Sequence, residues 1–126
     1  MKYPLMSLQI PSGWIVVKNI FYEVDSTIQD GVLKDPDVFT EDLLFLQRNV
    51  SPERDDQFII DLGWVPPRNV NGTYRAVILI ESWENVIKEF ESRDRNEIQR
   101  VLNQWLDVLS CNFNVEDALR ELSNIK

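Results

Sequence analysis

Histidine is absent from this chain, and it has a single cysteine, Cys111. Those two facts remove most of the catalytic repertoire. No Ser-His-Asp or Cys-His arrangement can be built, no histidine can ligate a metal, and one thiol cannot form a zinc site. Cys111 falls between a helical stripe and a loop, where a lone cysteine is expected to pack rather than to attack. Carboxylate chemistry remains, since Asp and Glu together number 21. A carboxylate pair works as acid and base only if an apolar setting raises the pKa of one member. Asp61, inside the apolar stretch Gln57–Val65, is the acid expected to be half-buried. A solvent-facing or hydrogen-bonded strand position explains it as well. Asp35-x-Asp37 lacks the glycine and terminal glutamate of a calcium loop. Asn69-x-Asn71-Gly72 is better explained as a hairpin turn, and four glycines leave no room for a phosphate-cradling loop. The expectation is therefore no catalytic residue, no metal, no cofactor and no enzyme.

Charge is more informative than any motif. The net charge is −8, which disfavours nucleic acid and anionic membrane as direct partners and favours a basic protein. The excess is uneven. Residues 1–22 carry two lysines and no acid. Residues 23–42 carry Glu23, Asp25, Asp30, Asp35, Asp37, Glu41 and Asp42 against Lys34 alone, a net of −6. These seven acids, with Phe39, form the expected partner-binding segment; a solvated loop with no partner explains the charge equally well. Charge steers the encounter, and an aromatic at the edge, Phe39 or Tyr22, anchors it.

Elements must position that segment. With 126 residues, 44% of them apolar, the chain suits one domain over 1–126 with its own core. Leu5–Ile10 reads as a first strand, Pro11-Ser12-Gly13 as a turn and Trp14–Val24 as a second strand. Asp25–Asp42 reads as a polar connection. Leu43–Gln47 and Gln57–Val65 read as strands, and Asn71-Gly72 as a hairpin turn. Thr73–Glu81, with its unbroken Ala-Val-Ile-Leu-Ile, reads as a central strand buried on both faces. Val86–Phe90 reads as an edge strand.

From Asp94 onward the period changes. Ile98, Val101, Leu102, Trp105 and Leu109 recur at helical spacing, with Asp94 as N-cap and Glu97 as its capping-box partner. A second helix begins near Asn114, with the stripe Val115, Ala118, Leu119, Leu122 and Ile125. Strands first and helices last implies α+β: a mainly antiparallel sheet of five or six strands with both C-terminal helices packed on one face. Trp105 belongs to the core stripe. Trp14, Trp64 and Trp83 stand at strand ends, where they could cap the core or face a partner.

The opening residues, interrupted by Pro4, Ser7 and Gln9, lack the apolar core of an export signal. The longest apolar run, Ala76–Ile80, is far short of the about twenty residues of a membrane span. A cytoplasmic location is expected. The sequons Asn49-Val50-Ser51 and Asn71-Gly72-Thr73 are then ordinary loop chemistry.

Three stretches carry a resemblance. Gly13-Trp14-Ile15-Val16-Val17 runs through to Glu23. Asp61-Leu62-Gly63-Trp64 precedes Thr73–Glu81. Trp83-Glu84-Asn85 runs through Phe90-Glu91-Ser92-Arg93 into Asn96–Leu106. In order and texture these stretches, which span most of the chain, resemble small immunity proteins of bacterial polymorphic toxin systems, in particular contact-dependent growth inhibition. None is a catalytic signature. The resemblance implies a non-enzymatic inhibitor that binds a cognate toxin domain, often a basic nuclease. It assigns no individual contacts. Two other readings stay open, an acidic nucleic-acid mimic that occupies a DNA-binding groove and a small carboxylate-dependent hydrolase. Nothing in the residues fixes an oligomeric state.

Overall fold

A computed structural model describes residues 3–52, 56–81 and 86–125. The chain is α+β. Its five-stranded antiparallel sheet is built from β1 (Ile15–Asn19), β4 (Leu44–Asn49), β5 (Gln57–Val65), β6 (Thr73–Ile80) and β7 (Lys88–Ser92), in the order β1-β4-β5-β6-β7. Two helices follow, α1 (Arg95–Ser110) and α2 (Val115–Ser123). A separate two-stranded hairpin, β2 (Ile28–Gln29) with β3 (Val32–Leu33), interrupts the connection between β1 and β4.

The alternation of β5 decides which face is core. Phe58, Ile60, Leu62 and Trp64 point to one side, and their partners on β6 are Ile80, Ile78, Ala76 and Tyr74. All eight are buried. Helix α1 lays Ile98, Val101, Leu102, Trp105, Leu106 and Leu109 on this face, over β6 and β7, and α2 packs against α1. At the Trp64 end the layer is aromatic. Phe39 lies 4.9 Å from Trp64 and 6.2 Å from Tyr74, and Phe21 lies 5.5 Å from Tyr74, centroid to centroid.

Several boundaries differ from those read in the sequence, each for a local reason. Leu5–Ile10 is not a strand. It makes one bridge, Leu5 with Tyr22, and then runs beside α1. There the Asn103 side chain accepts from the Gln9 amide, and the Gln99 side chain donates to the Ser7 carbonyl. The Met6 amide still donates to the Phe21 carbonyl at 2.7 Å, but beyond it the backbone groups of Ser7 and Gln9 are met by helix side chains instead of a ladder. The strand expected over Trp14–Val24 ends at Asn19, whose side-chain oxygen accepts from the Phe21 amide and turns the chain so that Phe21 enters the core. The central strand is β5, with β6 beside it. The edge strand β7 lies two residues later than the expected Val86–Phe90.

The Asp25–Asp42 connection holds the β2–β3 hairpin. Asp30 (φ 54) and Gly31 (φ 79) are successive left-handed residues, the type I′ turn that Asp-Gly favours. Asn71-Gly72 makes no such turn. Gly72 lacks positive φ, and glycine is needed because a Cβ there would stand 2.3 Å from the Trp64 indole nitrogen. Asp94 caps α1 through the Asn96 amide at 2.9 Å, and its own N–H donates to Ser92 Oγ. Glu97 is thus not the capping partner. The second helix begins at Asn114, which caps α2 by accepting from the Asp117 amide at 2.8 Å.

Candidate functional site

Among the described residues, no helix packs on the second face of the sheet. Register places three cross-strand rows on it. One row reads Ile15, Gln47, Ile59, Leu79. The next reads Lys18, Phe45, Asp61, Val77, Glu89. The third reads Gly63, Arg75, Glu91. This face mixes apolar and charged side chains, with Asp61 near its centre. Antiparallel sheets commonly turn such a face to solvent, but then it is mostly polar. Here Ile59 and Val77 are almost wholly buried.

The edge strand β1 is more exposed than a mixed apolar strand should be. Ile15, Val16 and Val17 show 54%, 48% and 57% of their surface. Two causes combine. Helix α1 packs mainly over β6 and β7 and meets this end of the sheet at its last turn, where Ser110 Oγ accepts from the Trp14 indole and the Leu109 carbonyl accepts from Arg48. A bulge between Val16 and Lys18 breaks the alternation, so Val17 and Lys18 line the same hollow. That hollow, about 190 Å³, is also lined by Asp42, Phe45 and Asp61. A neighbouring cavity of about 280 Å³ runs from Ile15 to Arg48 and the exposed ring of Phe113.

Gly63 brings Glu41 and Asp42 to this face. A Cβ on Gly63 would fall 2.0 Å from the Glu41 carbonyl oxygen. Only glycine lets the 40–42 segment lie on β5, where the Thr40 carbonyl accepts from the Trp64 amide at 2.8 Å. Burial pushes the Asp61 carboxyl above its usual range. The Asp42 carboxylate pushes it the same way, and Arg75 opposes both. Arg75 is engaged elsewhere, 2.7 Å from Glu89 and 3.9 Å from Glu91. Glu41, Asp42, Asp61, Glu89 and Glu91 thus stand on or beside this face against Lys18 and Arg75.

The acidic segment expected to bind as one unit divides. Asp25 pairs with Arg95 on α1 at 2.8 Å, and Asp37 pairs with Arg68 at 3.2 Å. Asp35 accepts from the Tyr3 hydroxyl. Asp30 occupies the hairpin tip, and Glu23 is exposed beside the Leu5–Tyr22 bridge. Glu41 and Asp42 alone join the uncovered face. Phe39 requires correction: it is fully buried in the Trp64–Tyr74 cluster and presents no surface to a partner. Its phenyl ring has no polar atom to keep in water, so the core takes all of it. Tyr22 is half-buried.

Trp14 and Trp64 are core residues as well. Their indole nitrogens donate to Ser110 Oγ and to the Asn69 carbonyl, each at 2.9 Å. Trp83 lies outside the described residues. Cys111, expected to pack, is exposed just beyond α1.

Sequence reasoning singled out Asp61 but not its neighbours on β1. The signal was present, as three successive β-branched residues with no polar alternation.

Among the described residues no three His, Cys, Asp or Glu side chains are placed to hold a metal ion, and no helix is long and apolar enough to cross a membrane. Comparison with protein-family models, with curated proteins and with solved structures finds no match to this chain.

Proposed function

We propose that this chain is a cytoplasmic binding protein of the immunity type, which holds and neutralises a basic toxin domain without catalysing a reaction. The observation that carries this reading is the uncovered sheet face, where exposed apolar residues of β1 adjoin a surplus of carboxylates. Isolated exposed apolar residues are ordinary, but a contiguous apolar edge with a polar rim is the anatomy of an interface. The overall charge of −8 favours a basic partner by speeding encounter and rejecting acidic competitors.

A carboxylate-dependent hydrolase is the second reading, favoured by the raised carboxyl of Asp61 beside Asp42. Size argues against it. The hollow at that pair is about 190 Å³, below the roughly 300–1,000 Å³ of common small-molecule sites. Lys18 is its one further charged lining residue.

Co-expression tests the proposal. A large secreted effector encoded directly upstream would favour the reading, and its C-terminal domain is the partner to co-express. Growth should be restored, and the two chains should co-elute at moderate salt. A domain that still kills, with no complex on size exclusion, refutes the inhibitor reading. Reversing Asp30, Asp35, Asp37 and Glu41 together should slow association and flatten its salt dependence. Unchanged kinetics would remove these acids from the steering surface.

A further inference from the structure

We propose that the uncovered face docks its partner through one arginine or lysine side chain, whose aliphatic stem lies on Val17 and Phe45 and whose cation sits between Asp42 and Asp61. This rests on the protein-binding reading above and specifies the partner's chemistry.

Three observations converge on this occupant. The first is shape. The hollow is walled by apolar groups and holds its carboxylates together, which is the form a long amphipathic cation fills: stem on hydrocarbon, head at the charge. The second is charge. Among the described residues, neither Asp42 nor Asp61 is within ion-pair distance of a cation, Arg75 is turned to Glu89 and Glu91, and Lys18, which also lines the hollow, offsets one of its two carboxylates and leaves the other. An incoming cation therefore meets unspent negative charge in a partly desolvated place, where Coulomb attraction exceeds that at a fully wet surface. Burial first, and then the Asp42 carboxylate, push the Asp61 carboxyl upward, which agrees with a partly desolvated acid beside a like charge. The third is the surrounding surface. The exposed side chain of Val17 borders the hollow on the β1 side, so a partner that seats the cation also covers apolar surface.

Other occupants fit less well. Nucleic acid would set phosphates against five carboxylates. A second copy of this chain, at net −8, would bring like charge to the same face. Two carboxylates alone make a poor cage for a hard cation, which takes six or more oxygens when it is calcium. The opposite edge of the sheet contrasts with β1. Strand β7 carries Lys88, Glu89 and Glu91 in five residues, and charges of that kind discourage partners at an edge.

The test uses the whole chain and a defined probe, the capped peptide acetyl-Val-Arg-Val-amide, followed by amide and side-chain carboxyl NMR. The glutamate analogue acetyl-Val-Glu-Val-amide serves as control. Millimolar arginine peptide should shift the resonances of Val17, Lys18, Asp42, Phe45 and Asp61 together and lower the titration midpoint of the Asp61 carboxyl. The glutamate peptide should do neither. Asp42→Asn with Asp61→Asn should weaken the arginine peptide about tenfold, whereas Asp30→Asn with Asp37→Asn should leave it unchanged. Shifts centred on the 28–33 hairpin, equal response to both peptides, or no response at all would each overturn the pocket.

Toxin co-expression separates the two claims. If the wild-type chain neutralises no toxin domain but the arginine peptide shifts these five residues, the inhibitor reading fails and the pocket stands. If the Asp42→Asn, Asp61→Asn chain protects as well as wild type and retains its affinity, the pocket fails and the inhibitor reading stands.

Discussion

Arg48 offers the sharpest test of how the sheet is tied to its helices. It lies on β4, opposite Phe58, and is buried on the core side of the sheet. Its guanidinium donates to the Leu109 carbonyl, to the Asn112 carbonyl at 3.1 Å and, at a long 3.4 Å, to the Val50 carbonyl. Leu109 is in the last turn of α1 and Asn112 lies just past its end, where unsatisfied carbonyls give the helix its negative pole. The charge also stands 4.8 Å from the Phe113 ring centroid and 5.9 Å from that of Phe58. Burial pulls its pKa down from the ordinary value, with Cys111 opposing, yet arginine keeps its proton.

Replacing Arg48 with methionine preserves the stem and removes the donors. The two shorter hydrogen bonds are each worth about 1.5 kcal/mol at the low end for a charged donor. The helix terminus adds about 0.5 kcal/mol. Relief from burying the charge returns some of this, so the expected loss is about 3 kcal/mol. With a urea m-value of about 1.5 kcal/mol/M, the midpoint should fall by about 2 M. Arg48→Lys should recover less than half, because one ammonium on a single stem cannot reach two separated carbonyls as a planar fork does. Equilibrium urea unfolding, followed by tryptophan fluorescence and by circular dichroism, measures both. A methionine variant that loses less than about 1 kcal/mol would refute the idea that this guanidinium fastens the helix end.

Three further predictions use the same assay. Phe39→Ala should cost about 3–5 kcal/mol, as for any large aromatic removed from a packed core, and a loss under about 1 kcal/mol would contradict its place beneath Trp64. Gly63→Ala should cost about 2–3 kcal/mol, because its methyl needs the space of the Glu41 backbone; a neutral result would mean that the 40–42 segment yields freely. Asp61→Asn should stabilise the chain near pH 7, and the gain should shrink as pH falls through the carboxylate range. The sign follows from the raised carboxyl: the folded chain holds this proton more tightly than the unfolded one, so stability falls as pH rises through that range. A gain that grows on acidification would show the carboxyl to be stabilised, not strained, by its surroundings.

The helices and the inner strands were legible because their patterns are long and repeated. The stripe from Ile98 to Leu109 and the apolar runs of β5 and β6 announce themselves over eight residues or more. The errors fall where single residues decide. The side chains of Gln99 and Asn103 take the backbone groups of Ser7 and Gln9, and Leu5–Ile10 stays out of the sheet. Asn19 ends β1 after five residues. The Asp30-Gly31 dipeptide carries a strong hairpin signal, but it is flanked by strands of two residues each, too short to show alternation. Phe39 was misread because polar neighbours in sequence said nothing about the tertiary pocket that Trp64 and Tyr74 make for it. Asp61 was legible as a half-buried acid, but its pairing with Asp42 depends on a chain crossing at Gly63 that no local pattern encodes.

The strand order has a kinetic consequence. Strands β4 to β7 form a meander in which every neighbour in space is also the next strand in the chain, so their pairing needs only short loop closures. Strand β1 is the exception, since residues 20–43 intervene before its partner β4. It should therefore dock late in folding and, bounded on one side only, open first in the native state. Amide hydrogens of Ile15 and Val16 should exchange sooner than those of Ile60 or Ile78. The part of the sheet with the most exposed apolar surface would then also be its least protected part, and a partner covering it would be read most directly as slower exchange along that one strand.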